Sequence, residues 1–144
     1  GQLLGEGDLG YKIAAEFNDS LFHKRGVLAA ARDNNPEKAS SASQFYIVQG
    51  KKYTDMELDR VEQARLRRKI PESQRAIYKM LGGAPFLDQS YTVFGEVVKG
   101  MDVVDQIAAA ETDVNDRPND DVKMEVRLMK KREVRRLLKE QQKN

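Results

Sequence analysis

Residues 40–50 read Ser-Ser-Ala-Ser-Gln-Phe-Tyr-Ile-Val-Gln-Gly: small polar residues run into Phe45, Tyr46, Ile47 and Val48, and Gly50 closes the run. Aromatic and β-branched residues favour a pleated, half-buried surface, and turn formers flank them, so the stretch predicts a strand entering a core from a loop. Strict alternation puts Gln44, Tyr46 and Val48 on one face and Phe45 and Ile47 on the other. Phe45 and Ile47 are expected in the core. The opposite face pairs an amide with an aromatic ring, which suits a site gripping an extended peptide. It equally describes a polar strand end beside an ordinary core tyrosine.

Upstream, the apolar run Gly26-Val27-Leu28-Ala29-Ala30-Ala31-Arg32 is ended by Asp33-Asn34-Asn35-Pro36 and reads as a buried strand. A short strand is expected within residues 11–17, before the Asn18-Asp19-Ser20 turn. The lone His23, beside Lys24 and Arg25, has no acid close in sequence and reads as a solvated surface residue. Residues 1–10 hold four glycines, but no Gly-Lys-Ser/Thr ending follows and Glu6 and Asp8 would repel phosphate; a loop closing over something fits better.

Downstream, the character changes. Thr54 and Glu57 form a capping-box pattern opening a charged helix that runs to about Lys69, Pro71 opens a second helix, and Gly82-Gly83 stops it. The Arg65–Lys69 cluster follows Asp55, Glu57, Asp59 and Glu62, as on a solvated, internally balanced helix. Residues 53–83 thus predict a helical insertion whose replacement by a short linker costs the core little. Strand character returns over residues 91–98, with Gly95 marking a bulge or close approach. Gly100 precedes a helix bearing Met101, Val104, Ile107 and Ala108 at helical spacing. Val122, Met124, Val126 and Leu128 alternate with Lys123, Glu125 and Arg127 as in a strand. Residues 130–144 predict a basic helix with a narrow Val134, Leu137, Leu138 stripe, docked on its own domain.

A chain of 144 residues that is 40% hydrophobic is expected to form one domain, residues 1–144. The net charge of +2 does not call for a nucleic-acid partner, and none is expected. Without cysteine, disulfides, thiol catalysis and Cys-based zinc sites are excluded. No apolar run is long enough to span a bilayer, and composition selects no compartment. One histidine cannot build a metal cluster, no cofactor is expected, and no nucleophile–base pair stands out. A reaction run by such a chain should need neither acid, base nor metal. Prolyl cis/trans isomerisation is one: its barrier of roughly 18–20 kcal/mol is lost amide conjugation, and the end states differ by only about 0.5–1 kcal/mol.

The chain resembles a cyclophilin, a peptidyl-prolyl cis-trans isomerase. Residues Gly26 through Arg32 are similar to the family strand ending Met-Ala-Asn. Ala42-Ser43-Gln44-Phe45-Tyr46-Ile47 resembles Gly-Ser-Gln-Phe-Phe-Ile. Leu87-Asp88-Gln89-Ser90-Tyr91-Thr92-Val93-Phe94-Gly95 resembles Leu-Asp-Gly-Lys-His-Val-Val-Phe-Gly, and Gly100-Met101-Asp102-Val103-Val104 follows in family order. The resemblance implies a mainly β fold with helices, an antiparallel β-barrel with a proline pocket on its outer surface. Proline-containing polypeptides are the implied partners.

By the same resemblance, Gln44 hydrogen-bonds the substrate backbone and Tyr46 replaces the pocket phenylalanine. Ala31 and Arg32 present backbone to the residues preceding proline. Leu87 lines the pocket, Phe86 stands where many members carry Trp, and Tyr91 where many carry His. Gly5 and Gly7 match a loop beside the site. The family's catalytic arginine lies upstream of that loop and is matched by no residue here, so no catalytic residue is assigned. The first barrel strands are likewise expected outside the chain, to be supplied by a preceding segment or a second chain. Two other classes stay open: a non-catalytic proline-peptide-binding module, and an RNA adaptor built on the basic helix.

Overall fold

The computed structural model describes residues 9–141, so the expectations on Gly5 and Gly7 fall outside the described residues. The chain divides after Ala109 into two compact units. Among the described residues five short strands form: β1 (Lys12–Ile13), β2 (Val27–Ala30), β3 (Ser40–Ser41), β4 (Phe45–Ile47) and β5 (Val93–Glu96). β1 pairs with β3, and β2 is the centre of a three-stranded antiparallel sheet ordered β4-β2-β5. The fold is a mixture of sheet and helix rather than mainly β, and no closed barrel forms among the described residues.

The sheet register explains which face is buried. Ala29 faces Tyr46 on β4 and Val93 on β5, while Leu28 faces Ile47 and Gly95. Val27, Ala29, Val48 and Val93 therefore share a face with Tyr46, and Ala84 and Leu87 pack over it as the core. The predicted alternation holds, but the buried side is reversed: Phe45 and Ile47 are 43% and 36% exposed. The turn bearing Ala84 and Leu87 covers the Tyr46 face, and the other face has no such cover. At Gly95 the register shifts between Leu28 and Ala29, the expected bulge, and a Cβ there would meet the Leu28 side chain only at ordinary contact distance.

The helices start where their caps dictate. The Thr54 side chain accepts from the Glu57 N–H, and the Glu57 carboxylate accepts from the Thr54 N–H at 2.8 Å, opening α1 (Asp55–Val61). A π-turn (Glu62–Leu66) continues it until Arg67 turns left-handed at φ 53°. α2 (Glu72–Met80) begins one residue later than expected, with Pro71 as its cap, and runs out into Gly82 and Gly83. α3 (Met101–Ala108) follows Gly100. In the second unit, α4 (Lys131–Gln141) is the basic helix, but no strand forms over residues 121–128. An alternating run becomes a strand only with a neighbour to pair with, and none of the described strands pairs with this one.

The segment carrying α1 and α2 is more than an appendage. Tyr53, Leu58, Ile70 and Tyr78 form a second buried cluster, and Phe22, from outside the segment, packs on it. The Tyr78 hydroxyl donates to Asp88 Oδ2 at 2.8 Å. Replacing these residues by a linker would strip that cluster and leave Asp88 short of a donor, contrary to the small cost expected from loop closure.

Glu62 is the electrostatic knot of this segment. Its Oε1 accepts from Arg75 Nη1 at 2.8 Å and from the Ile70 N–H at 3.0 Å, and Lys69 Nζ lies 2.8 Å from Oε2. Burial opposes its charge, but these donors prevail and lower its pKa from 4.5 to about 2. A carboxyl depressed on folding stabilises fully above its unfolded pKa and loses that contribution as pH falls through the folded value. Glu62→Gln should therefore lower stability at neutral pH, and the deficit should shrink as pH falls from 4.5 toward 2. Chemical denaturation of both proteins across that range measures it; a deficit that does not change with pH would contradict the assignment.

Candidate functional site

The expected site residues separate into three places. Tyr46, Phe86 and Leu87 line one cavity of about 440 Å³, with Val48, Ala84 and Tyr53 completing its apolar wall and Gln49 and Lys51 among its polar residues. Phe86 and Leu87 reach it from a 3₁₀ turn (Pro85–Leu87), whose first proline supplies the fixed φ that starts such a turn. Gln44 instead lines a separate cleft of about 410 Å³ with Ala42, Ser43, Phe45 and Phe94. Tyr91 and Arg32 stand on the far side of Tyr46. The Tyr91 ring meets Tyr46 edge-on at 5.9 Å, and the Arg32 guanidinium lies 4.8 Å over Tyr91. A row from Leu87 through Tyr46 and Tyr91 to Arg32 results.

Hydrogen bonding sets what these groups can offer a ligand. The Ala31 N–H donates to the Gln44 carbonyl, and the Ala31 carbonyl accepts from the Ser41 N–H, both at 2.9 Å. Its backbone thus serves the fold at both groups. Arg32 Nε donates to the Ser90 carbonyl at 2.8 Å and Nη1 to its neighbour's, Asp33, at 2.9 Å. The side chain is fastened over Tyr91 rather than directed at the cavity.

His23 is the clearest correction. It is 1% exposed, not a solvated residue. Its Nδ1 lies 2.9 Å from Asp88 Oδ1, which also accepts the His23 backbone N–H at 2.8 Å, and its Nε2 lies 3.1 Å from the Tyr46 hydroxyl. The acid it needs comes from 65 residues away in sequence. Gly83 makes room for this loop: at φ 151° it lies so close that a Cβ would collide with the His23 carbonyl and the Tyr78 ring. Burial raises the pKa of the Tyr46 hydroxyl, with the nearby Tyr91 and Asp88 adding to it, and burial and Asp88 do the same for Tyr78. Both remain neutral phenols.

Sequence analysis assigns no role to Asp88, Tyr78 or Tyr53. A signal existed for Asp88 alone, an acid between the apolar Leu87 and the strand-like run after Tyr91.

The family model described as cyclophilin type peptidyl-prolyl cis-trans isomerase/CLD matches residues 3–127. The chain belongs to the cyclophilin family. A Streptococcus pyogenes serotype M6 protein named as a bifunctional phosphatase/peptidyl-prolyl cis-trans isomerase is 37% identical over 125 residues, 84% of this chain and 24% of its own length. Proteins of Staphylococcus saprophyticus and Staphylococcus epidermidis, both named as peptidyl-prolyl cis-trans isomerases, are 31% and 32% identical. Those alignments cover 82% and 84% of this chain but 56% and 58% of the relatives. The chain thus spans little more than half the length of these staphylococcal cyclophilins.

Asp88→Ala would leave three buried donors without their acceptor. Stranding a buried donor in this way costs about 1–3 kcal/mol. Equilibrium denaturation should show a loss of that order, and a change under about 1 kcal/mol would mean water or another group replaces the carboxylate.

Proposed function

We propose that this cyclophilin-family chain contributes the proline-binding wall of a peptidyl-prolyl cis-trans isomerase acting on proline-containing polypeptides. The observation that carries this reading is the apolar cavity of about 440 Å³ in which Tyr46, Phe86 and Leu87 meet, the positions that the family resemblance assigns to its proline pocket. A proline ring is apolar and rigid, and such a wall can hold it while the amide before it turns. Rate enhancement then comes from binding the twisted amide better than either planar form. Gln44, which lines the separate cleft, would take the substrate backbone. In this reading Ala31 and Arg32 act by holding the groove's edge, and Tyr91 extends the pocket wall. No nucleic-acid partner belongs to it.

The finer architecture is part of the proposal. The exposed face bearing Phe45, Ile47 and Phe94 would be closed into an antiparallel barrel by strands outside the described residues, from a preceding segment or a second chain. The exposed apolar area and the outer edges of β4 and β5, which pair with no strand among the described residues, both call for such partners. Residues 53–83 are read as an insertion in that barrel, and 130–144 as an added basic helix. The reading also needs a donor aimed at the proline nitrogen, which the resemblance draws from upstream of the Gly-rich loop. Losing one such donor costs on the order of 10²–10³ in rate.

The test follows isomerisation and binding of a short proline peptide by the full-length protein. Gln44→Ala and Tyr46→Ala should each weaken binding, by about 0.5–1.5 kcal/mol for a lost hydrogen bond and more for a lost wall. Arg32→Ala should keep most of the rate. Activity lost only with Arg32 would make that residue the catalytic arginine and overturn the reading. Binding without acceleration would instead favour the non-catalytic peptide-binding module.

A further inference from the structure

The cavity wall is built on a ring whose hydroxyl the proposed reaction does not use. That hydroxyl meets His23 Nε2, while His23 Nδ1 meets Asp88 Oδ1 and Asp88 Oδ2 accepts from Tyr78. His23 and Asp88 are 1% and 3% exposed, so bulk water does not compete for these bonds. The direction of each bond follows from the inventory of donors. A carboxylate oxygen that already takes the His23 backbone N–H can only accept, so the hydrogen on the ring sits at Nδ1. A neutral imidazole protonated there has a bare Nε2. Tyr46, a neutral phenol, gives its hydrogen to that nitrogen.

The backbone of His23 is held as firmly as its ring. Its N–H is fixed on Asp88, and its carbonyl accepts the Ala84 N–H at 2.8 Å. Ala84 is itself part of the cavity wall, so the imidazole is anchored to the same turn that carries Phe86 and Leu87. The edge-on Tyr91 ring confines Tyr46 from one side but does not fix its position along its own plane. A bond at the tip removes that freedom. The His23 ring lies nearly parallel to Tyr46, 15° apart.

We infer that His23 is a positioning residue: with its tautomer set by Asp88, it pins the Tyr46 hydroxyl and so fixes the wall against which a proline ring is bound. The functional half rests on the reading of the cavity as the proline pocket; the direction of the hydrogen bonds does not. Through Tyr78 the same carboxylate makes α2 a support of the pocket wall.

The experiment uses the full-length protein and a short Ala-Pro-containing peptide. Nitrogen NMR of His23 at neutral pH should show Nδ1 protonated and Nε2 bare; a protonated Nε2, on a neutral ring or on an imidazolium, would overturn the inference. His23→Asn keeps a donor near Nδ1 but removes the acceptor for Tyr46, whereas His23→Gln places an amide oxygen near the Nε2 position. Asn at 23 and Tyr46→Phe should each weaken peptide binding about three- to tenfold. The double variant should bind no worse than Tyr46→Phe, and Gln should restore most of the loss. Unchanged affinity in a folded His23→Asn protein, or fully additive losses, would overturn it. Should His23→Asn not fold, Tyr46→Phe, which removes one oxygen, carries the test: unchanged affinity there sinks the inference. If the unaltered protein does not bind the peptide, the reading of the cavity fails, and the His23 tautomer with slow exchange of the Tyr46 hydroxyl hydrogen decides the positioning claim by itself.

Discussion

The carboxylate of Asp88, buried and accepting from the His23 backbone, the His23 ring and Tyr78, ties together parts of the chain that share no secondary structure. The loop before β2, the helix α2 and the turn after it converge on two oxygen atoms. Burying a carboxylate is costly unless donors replace its water, and here three do so. Each donor is thereby made obligatory, because removing the acceptor strands it in a place water does not reach. This explains why the helical segment cannot hang loosely from the sheet. Its Tyr78 closes the shell of a group that the sheet's own turn carries.

A second constraint works in the opposite direction. Among the described residues the sheet is three strands wide, and one of its faces is covered by Ala84 and Leu87 while the other shows Phe45 and Ile47 to solvent. Each large apolar side chain buried is worth roughly 1.5–3 kcal/mol, so an open face of this kind leaves a considerable stabilisation unclaimed. The proposed barrel closure would recover it. The Tyr46 face is fixed by the Asp88 network within this chain, whereas a cover for the Phe45 face belongs to the proposed barrel.

Local pattern made much of this legible. The capping box at Thr54, the glycines after α2, the bulge at Gly95 and the helix after Gly100 all rest on neighbours within a few residues, and all stand in the structure. What failed depends on distant chain. Alternation separated Tyr46 from Phe45 correctly, but both faces carry aromatic and aliphatic residues, so only the covering turn decides which is buried. His23 looked solvated because its partner acid is 65 positions away. The run over residues 121–128 has a strand's pattern but not a strand's neighbour. Of the expected site residues, Tyr46, Phe86 and Leu87 meet in one cavity, while Gln44 lies in a separate cleft and the Ala31 backbone is engaged within the sheet.

These observations bear on how a site without acid–base machinery can be selective. When no bond to a substrate atom is made or broken by a side chain, discrimination between planar and twisted amides depends on where the walls stand. A wall that yields to the substrate binds every form about equally and accelerates nothing. Rigidity then has to come from beneath the surface. An unanchored phenylalanine at position 46 could be held only by its neighbours' packing, whereas a tyrosine reaches through the wall to an imidazole that is itself held by a carboxylate and by the backbone of Ala84. The buried polar row thus supplies to an apolar pocket what apolar contacts alone do not, a defined setting of the ring.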